Sequence, residues 1–335
     1  MTKKKMRLGA ALLAATMAFS VIVLPKVQAA LPVETDKTNC SVQINVPSAS
    51  FRELENLPVT VKLYKVADIS VEGKYVAMDF LHTLDFSGVS STTTAQQWEE
   101  MAALAKEAVE ETQMDVTAEA VTEAGTVTVT DLATGLYLVD AQSVTSDYHQ
   151  YDFTPYLISL PNHYYYDTED DTWVYDLVGE NAIGLKPEKV DLYGDLVINK
   201  LLDVYNETIG GATFVFQIEA SKTDVDTGET KVVYSDVVSM TFKNPGTDSI
   251  TIKGLPAGSN VVVTEVYSGA SYKLTSEASQ TVTILAEGAE DGPASVAFTN
   301  TYNEHLNGGN GVVNHFAYNS ETGEWTHTAT EDSTP

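Results

Sequence analysis

The chain has 335 residues, with 19 Lys+Arg against 47 Asp+Glu and a formal net charge of −28. A polyanion repels phosphate backbones and anionic headgroups, which excludes nucleic-acid binding. The chain is 43% hydrophobic and 9% aromatic, enough apolar surface for packed cores, and its single cysteine, Cys40, excludes an intrachain disulfide and a zinc ribbon.

Residues 1–30 read as a secretory signal peptide. Thr2 to Arg7 is basic, Leu8 to Leu24 is apolar, and Val27-Gln28-Ala29 before Ala30 fits a small-residue cleavage site. That segment holds five basic residues and no acid, so its removal leaves 14 basic against 47 acidic residues, a net of −33. No second long apolar stretch follows, so the exported protein is expected outside the cytoplasm and off the membrane.

Beyond the leader, apolar alternation predicts strands at 59–66, 126–129, 136–139 and 156–160. One helix is expected over Gln96–Glu111, with Trp98, Met101, Ala105, Ala108 and Val109 on one stripe after a Thr92-Thr93-Thr94 cap region. Tyr164-Tyr165-Tyr166, the acidic run Asp167–Asp171 and Trp173-Val174-Tyr175 read as a hairpin with an acidic tip. A boundary near Lys186-Pro187-Glu188-Lys189 precedes a second strand run from Gly194 to Tyr302, with a polar tip at Asp224–Glu229. A faint repeat links the halves: 126–129, Leu132-Ala133-Thr134-Gly135 and 136–139 match 249–252, Leu255-Pro256-Ala257-Gly258 and 261–263. The expectation is an all-β protein of two tandem β-sandwiches, one helix inserted in the first, divided 31–190 and 191–303. Residues 304–335 are a Gly/Asn linker (Asn307–Gly311) and a terminal hairpin.

No Walker loop, HExxH or Gly-x-Ser-x-Gly elbow occurs, and the six histidines show no ligand spacing. Asp224, Asp226 and Glu229 are too few and too irregular for an EF-hand calcium loop. No metal, cofactor or enzymatic turnover is therefore expected. The strongest signal is a break in alternation. A period of two puts Lys200 on the row of Leu196 and Ile198, Glu265 on that of Val261 and Val263, and Asn300 on that of Val296 and Phe298. Lys and Glu at strand ends commonly reach solvent. Buried alone each would be costly. Buried together they can react: a neutral lysine amine attacks the asparagine carboxamide, ammonia leaves, and a protonated acid shuttles protons. Proximity supplies the catalysis, and an isopeptide bond results.

Leu196–Lys200, Phe214-Val215-Phe216, Leu255–Gly258, Val263-Thr264-Glu265 and Phe298–Tyr302 resemble a collagen-adhesin B-type (Cna-B-like), immunoglobulin-like domain. The resemblance implies that Lys200 and Asn300 are cross-linked and that Glu265 is the proton shuttle. Residues 31–190 resemble the N-terminal domain of Gram-positive sortase-assembled pilins, through Val61–Ala67, Gly135–Val139, Phe153–Pro161 and Trp173–Asp176 leading to Leu185-Lys186-Pro187. That likeness implies an acceptor lysine for the next subunit, with Lys186 the better match and Lys189 second. It also implies other pilin or surface-protein subunits, and sortase, as partners.

The sequence departs from that family at its end: Thr328–Pro335 contains no LPxTG-like motif, apolar stretch or basic tail. Two alternatives stay open, a truncated record or a protein held non-covalently, with the linker and hairpin as docking element. The rival reading is a non-enzymatic adhesin module that binds host glycan or matrix protein through Tyr148, Tyr151, Tyr156, Tyr164, Tyr165 and Tyr166. A second rival, a hydrolase using Asp170/Asp171, has only adjacent turn acids behind it.

Overall fold

The structure, a computed structural model, describes residues 32–163, 173–208, 210–269, 271–305 and 315–328. The expected signal peptide at 1–30, Tyr164–Asp171 and the Asn307–Gly311 linker lie outside the described residues. What is described is all-β with one α-helix.

The N-terminal half contains β1 (Cys40–Asn45), β2 (Thr60–Ile69), β3 (Tyr75–Ala77), α1 (Ala95–Thr112), β4 (Ala118–Val121), β5 (Thr126–Leu132) and β6 (Gly135–Ala141). It continues through β7 (Val144–Thr145), β8 (His149–Phe153), β9 (Tyr156–Leu160), β10 (Asp176–Leu177), β11 (Ile183–Gly184) and β12 (Pro187–Asp191). One sheet is built on β1, which pairs with β5, β10 and β11; a second runs β3-β2-β6-β9, with β4 also on β2. Val42 and Ile44 of the first sheet meet Val61, Leu63, Tyr137 and Val139 of the second. The other face of the second sheet, Tyr64, Val66, Leu136 and Leu138, is covered by the Ala102, Ala105, Ala108 and Val109 stripe of α1. The strand expected at 136–139 from alternation is found, but β6 is buried on both faces, so its residues do not alternate between core and solvent. The helix starts where expected because Thr94 and Gln97 form a reciprocal capping box, and it ends at Gln113 in the left-handed region. Cys40 is fully buried in this half, and burial pushes its thiol up to about 11, so it is no nucleophile.

The C-terminal half contains β13 (Tyr193–Leu202), β14 (Ala212–Thr223), β15 (Thr230–Phe242), β16 (Gly246–Pro256), β17 (Asn260–Tyr267), β18 (Tyr272–Leu274), β19 (Ser279–Thr283) and β20 (Ala294–Tyr302). Two four-stranded sheets, β16-β13-β20-β18 and β15-β14-β17-β19, face each other. Their inward rows form one core, which includes Leu196, Ile198, Phe214, Phe216, Val261, Val263, Val296 and Phe298. Near the start of β13 only glycine fits at 194, since a Cβ there would come within 1.8 Å of the Leu285 carbonyl oxygen. β21 (His315–Asn319) and β22 (Glu324–Thr328) form the expected terminal hairpin, which lies along β15, with Ser235 Oγ donating to the Trp325 carbonyl at 3.2 Å.

The repeated strand–turn–strand segments join strands of different sheets. β5 pairs with β1 while β6 pairs with β2, and β16 pairs with β13 while β17 pairs with β14, so each turn carries the chain between facing sheets. Beside the expected boundary near 186–189, Pro187–Asp191 form β12, which runs antiparallel to β8 with Lys189 opposite Tyr151.

Candidate functional site

Three strands converge on one buried point. Alternation turns Leu196, Ile198 and Lys200 of β13 inward, with Val261, Val263 and Glu265 of β17 and Val296, Phe298 and Asn300 of β20. β13 and β20, the first and last strands of this half, lie side by side and parallel, with Leu202 opposite Asn300 and Lys200 opposite Phe298. β17 belongs to the facing sheet. Amine and carboxamide therefore come from one sheet, and the acid reaches them across the core. Lys200 and Asn300 are 0% exposed and Glu265 is 8% exposed.

The three side chains form a closed set of contacts. Lys200 Nζ donates to Glu265 Oε2 at 2.6 Å and also contacts Asn300 Oδ1. Asn300 Nδ2 donates to Glu265 Oε1 at 2.7 Å. The carboxyl group thus touches both the lysine nitrogen and the carboxamide nitrogen. Aromatic rings wall off the amine: Nζ is 4.4 Å from the Phe214 centroid and 5.8 Å from that of Phe216, and Phe216 packs on Phe298 at 5.1 Å. Phe214 and Phe216 are site residues that the sequence reading did not assign. Their signal was two aromatics at a spacing of two on a strand facing the triad.

Burial sets the protonation states. It holds the Lys200 ammonium below the ordinary lysine range, against the opposing hydrogen bond and charge of Glu265. It pushes the Glu265 carboxyl above the ordinary range, against the opposing pull of Lys200 and Asn300. Both shifts favour a neutral amine beside a neutral acid, the pair that acyl transfer to nitrogen requires.

A second lysine–carboxylate pair shows what burial adds. Lys106 Nζ on α1 sits 2.7 and 2.8 Å from the two oxygens of Asp140, but it is 36% exposed. Partial burial lowers its pKa, yet the hydrogen bonds and charges of Asp140 and Glu110 outweigh that and hold it above the ordinary value. It stays an ammonium, and the contact is an ion pair.

The two candidate acceptor lysines have different surroundings. Lys186 is exposed, its Nζ 5.2 Å from the Tyr156 ring centroid. Lys189 is engaged: its Nζ is 2.5 Å from Asp226 Oδ2 and 3.5 Å from Asp224 Oδ2. The tip 224–229 thus spends its carboxylates on Lys189 and on its own turn, where backbone hydrogen bonds from Thr227 hold the Asp224 carboxyl down to about 2. The tyrosines do not make one binding face among the described residues. Tyr151 is fully buried, Tyr156 packs half-buried against the N-terminal core, and Tyr148 lies against Gly258 between the two halves. Tyr164, Tyr165, Tyr166, Asp170 and Asp171 lie outside the described residues. The tyrosine-rich stretch was expected to form one face, but β8 turns Tyr151 into the N-terminal core.

Residues 196–303, which bracket the triad, match the family model described as a domain of unknown function (DUF5979). No curated protein matches the chain. Among solved structures the chain is similar to Gram-positive pilins. A streptococcal ancillary pilin is 17% identical, with 81% of this chain and 64% of that one covered and a TM-score of 0.24. The minor pilin GBS52 of Streptococcus agalactiae is 14% identical, with 81% and 99% covered and a TM-score of 0.23. The major pilin SpaA of Corynebacterium diphtheriae, whose structure points to a modular pilus assembly with stabilizing isopeptide bonds, is 10% identical, with 78% and 100% covered and a TM-score of 0.22. The chain spans less than two thirds of the ancillary pilin's length. The chemistry of the triad rests on this chain's own side chains. No helix among the described residues is long and apolar enough to cross a membrane.

Proposed function

We propose that this protein is an exported structural subunit of a bacterial surface fibre or adhesin stalk, pilin-like, with residues 31–190 and 191–303 as its two domains. An autocatalytic Lys200–Asn300 isopeptide bond ties the second domain. The single observation that carries this reading is the burial of a lysine, a carboxylic acid and a carboxamide in mutual contact within an otherwise apolar core.

The reaction balances without a cofactor. The Lys200 ammonium passes a proton to Glu265, and the neutral Nζ attacks Asn300 Cγ. Glu265 delivers a proton to Nδ2 and accepts one from Nζ. The Cγ–Nδ2 bond breaks as Nζ–Cγ forms, and one ammonia leaves. The reacting groups are held together by the fold, which replaces an encounter by a preorganised contact. A protein with one cysteine gains in this way the covalent tie that exported proteins commonly take from disulfides.

The test is the intact mass of the purified protein beside a Lys200→Ala control. The parent is expected one ammonia lighter than its sequence, and the control at full mass. A full-mass parent overturns the reading.

In assembly, Lys186 is the acceptor toward the next subunit, with a sortase as the joining enzyme, because its amine is accessible while that of Lys189 is paired. Lys186→Arg in the producing bacterium is expected to abolish any polymer ladder that survives boiling in detergent, and Lys189→Arg to leave it. A ladder that persists in Lys186→Arg removes Lys186 from this role.

A further inference from the structure

The two halves have separate cores, and only Leu192 lies between the end of β12 and the start of β13. A one-residue connection leaves relative motion as the default. Here both backbone polar groups of that residue are engaged. Leu192 N donates to the Tyr148 carbonyl in the N-terminal half at 3.0 Å, and its own carbonyl accepts from Ala257 N in the C-terminal half at 2.8 Å. The Tyr148 ring lies so close to the 256–259 turn that a Cβ on Gly258 would come within 2.9 Å of it.

Polar side chains flank this connection. The 224–229 tip reaches the N-terminal half: Asp226 Oδ1 accepts from Arg52 N at 2.8 Å, and Asp226 Oδ2 is 2.5 Å from Lys189 Nζ. Beside it, His149 is 3% exposed and bridges two carboxylates, Nδ1 at 2.6 Å from Glu53 Oε2 and Nε2 at 3.4 Å from Asp191 Oδ1. Tyr151 donates to the same Glu53 oxygen at 2.5 Å, and Lys222 from β14 reaches Asp191 at 2.6 Å. Each exposed pair alone is weak. Together they join the 3-10 turn Arg52–Glu55, strands β8 and β12, and the β14–β15 hairpin around one connecting residue.

We propose that this joint is a latch: Asp226 on Arg52 and Lys189, with Lys222 on Asp191, locks the two sandwiches into one rigid body in a fixed orientation. The sandwiches then transmit tension and bending as a single rod. The latch does not depend on the isopeptide bond, since none of its residues belongs to the triad.

The test places spin labels on the full chain at Glu107→Cys on α1 and Glu277→Cys before β19, both exposed; the native Cys40 is buried and stays unlabelled. The distance distribution is expected to be single and narrow in the parent. It should broaden about two-fold in Asp226→Ala/Lys189→Ala/Lys222→Ala, as the inter-domain default motion returns. Asp226→Asn, isosteric and outside both cores, gives an intermediate width and guards against misfolding of the triple variant. A broad distribution in the parent, or a triple variant that folds and keeps the parent's width, overturns the latch.

Discussion

Glu265→Gln is expected to give a folded chain of full, unmodified mass. The amide keeps the shape of the acid and can still accept from Lys200 and meet Asn300, so the packing of the site is retained. It removes two other things. Without the carboxylate charge, the Coulombic pull that favours the Lys200 ammonium is gone, so burial tips the amine further toward its neutral form. The amine is then competent to attack, but nothing between Nζ and Nδ2 can carry a proton to the leaving nitrogen. Positioned general acid–base groups contribute roughly 10²–10⁴-fold, and bond formation should slow by that factor. The check is a time course of intact mass after refolding. Glu265→Gln that loses ammonia at the parental rate would mean that proximity suffices and that the acid has only a structural part.

In single-molecule pulling on its ends, the parent is expected to conceal most of the C-terminal half. Lys200 and Asn300 are separated by 100 residues. A covalent bridge between them withholds about 330–360 Å of contour length from extension, at 3.3–3.6 Å per residue. Lys200→Met, an apolar residue of similar length, should release that length and leave Glu265 as a neutral buried acid. Closing a loop of this size stabilises by roughly 4–5 kcal/mol on the chain-entropy account of cross-links. Lys200→Met and Glu265→Gln should therefore each lower the unfolding midpoint by about 20 °C, and the double variant by little more, because the same bond is lost once. Equal contour lengths in parent and Lys200→Met would remove the cross-link. Additive losses would mean that the two residues stabilise by separate contacts.

Mechanically, the arrangement has a simple logic. β13 and β20 are adjacent and parallel, so tension that enters the C-terminal half through β13 and leaves through β20 pulls their ladder apart from opposite ends. A bond from Lys200 to Asn300 takes that tension before the hydrogen bonds do. The remaining strands then see little of it.

The triad was legible in the sequence because its signal is local. A period of two fixes which residues of a strand share a face, and Lys200, Glu265 and Asn300 each continue an apolar row. The helix expected over Gln96–Glu111 and found over Ala95–Thr112 was legible for the same kind of reason, an apolar stripe after a Thr92–Thr94 cap region within one short segment. Alternation says nothing about which strands pair or which sheet a strand joins. Only the tertiary structure put the acid on the sheet opposite the amine and carboxamide, which sets Glu265 between the two nitrogens. It also separated Lys186 from Lys189, three residues apart and alike in sequence, because an acidic tip from β14–β15 folds back onto one and not the other. Tyr151 looked like part of an aromatic surface, but β8 turns it into the N-terminal core. His149 carried no sequence signal at all: its two carboxylate partners are Glu53, 96 residues before it, and Asp191, the last residue of β12, which lies opposite it in the β8–β12 register. Contacts of that separation are settled by which strands pair and pack in the tertiary fold, and no local period records them.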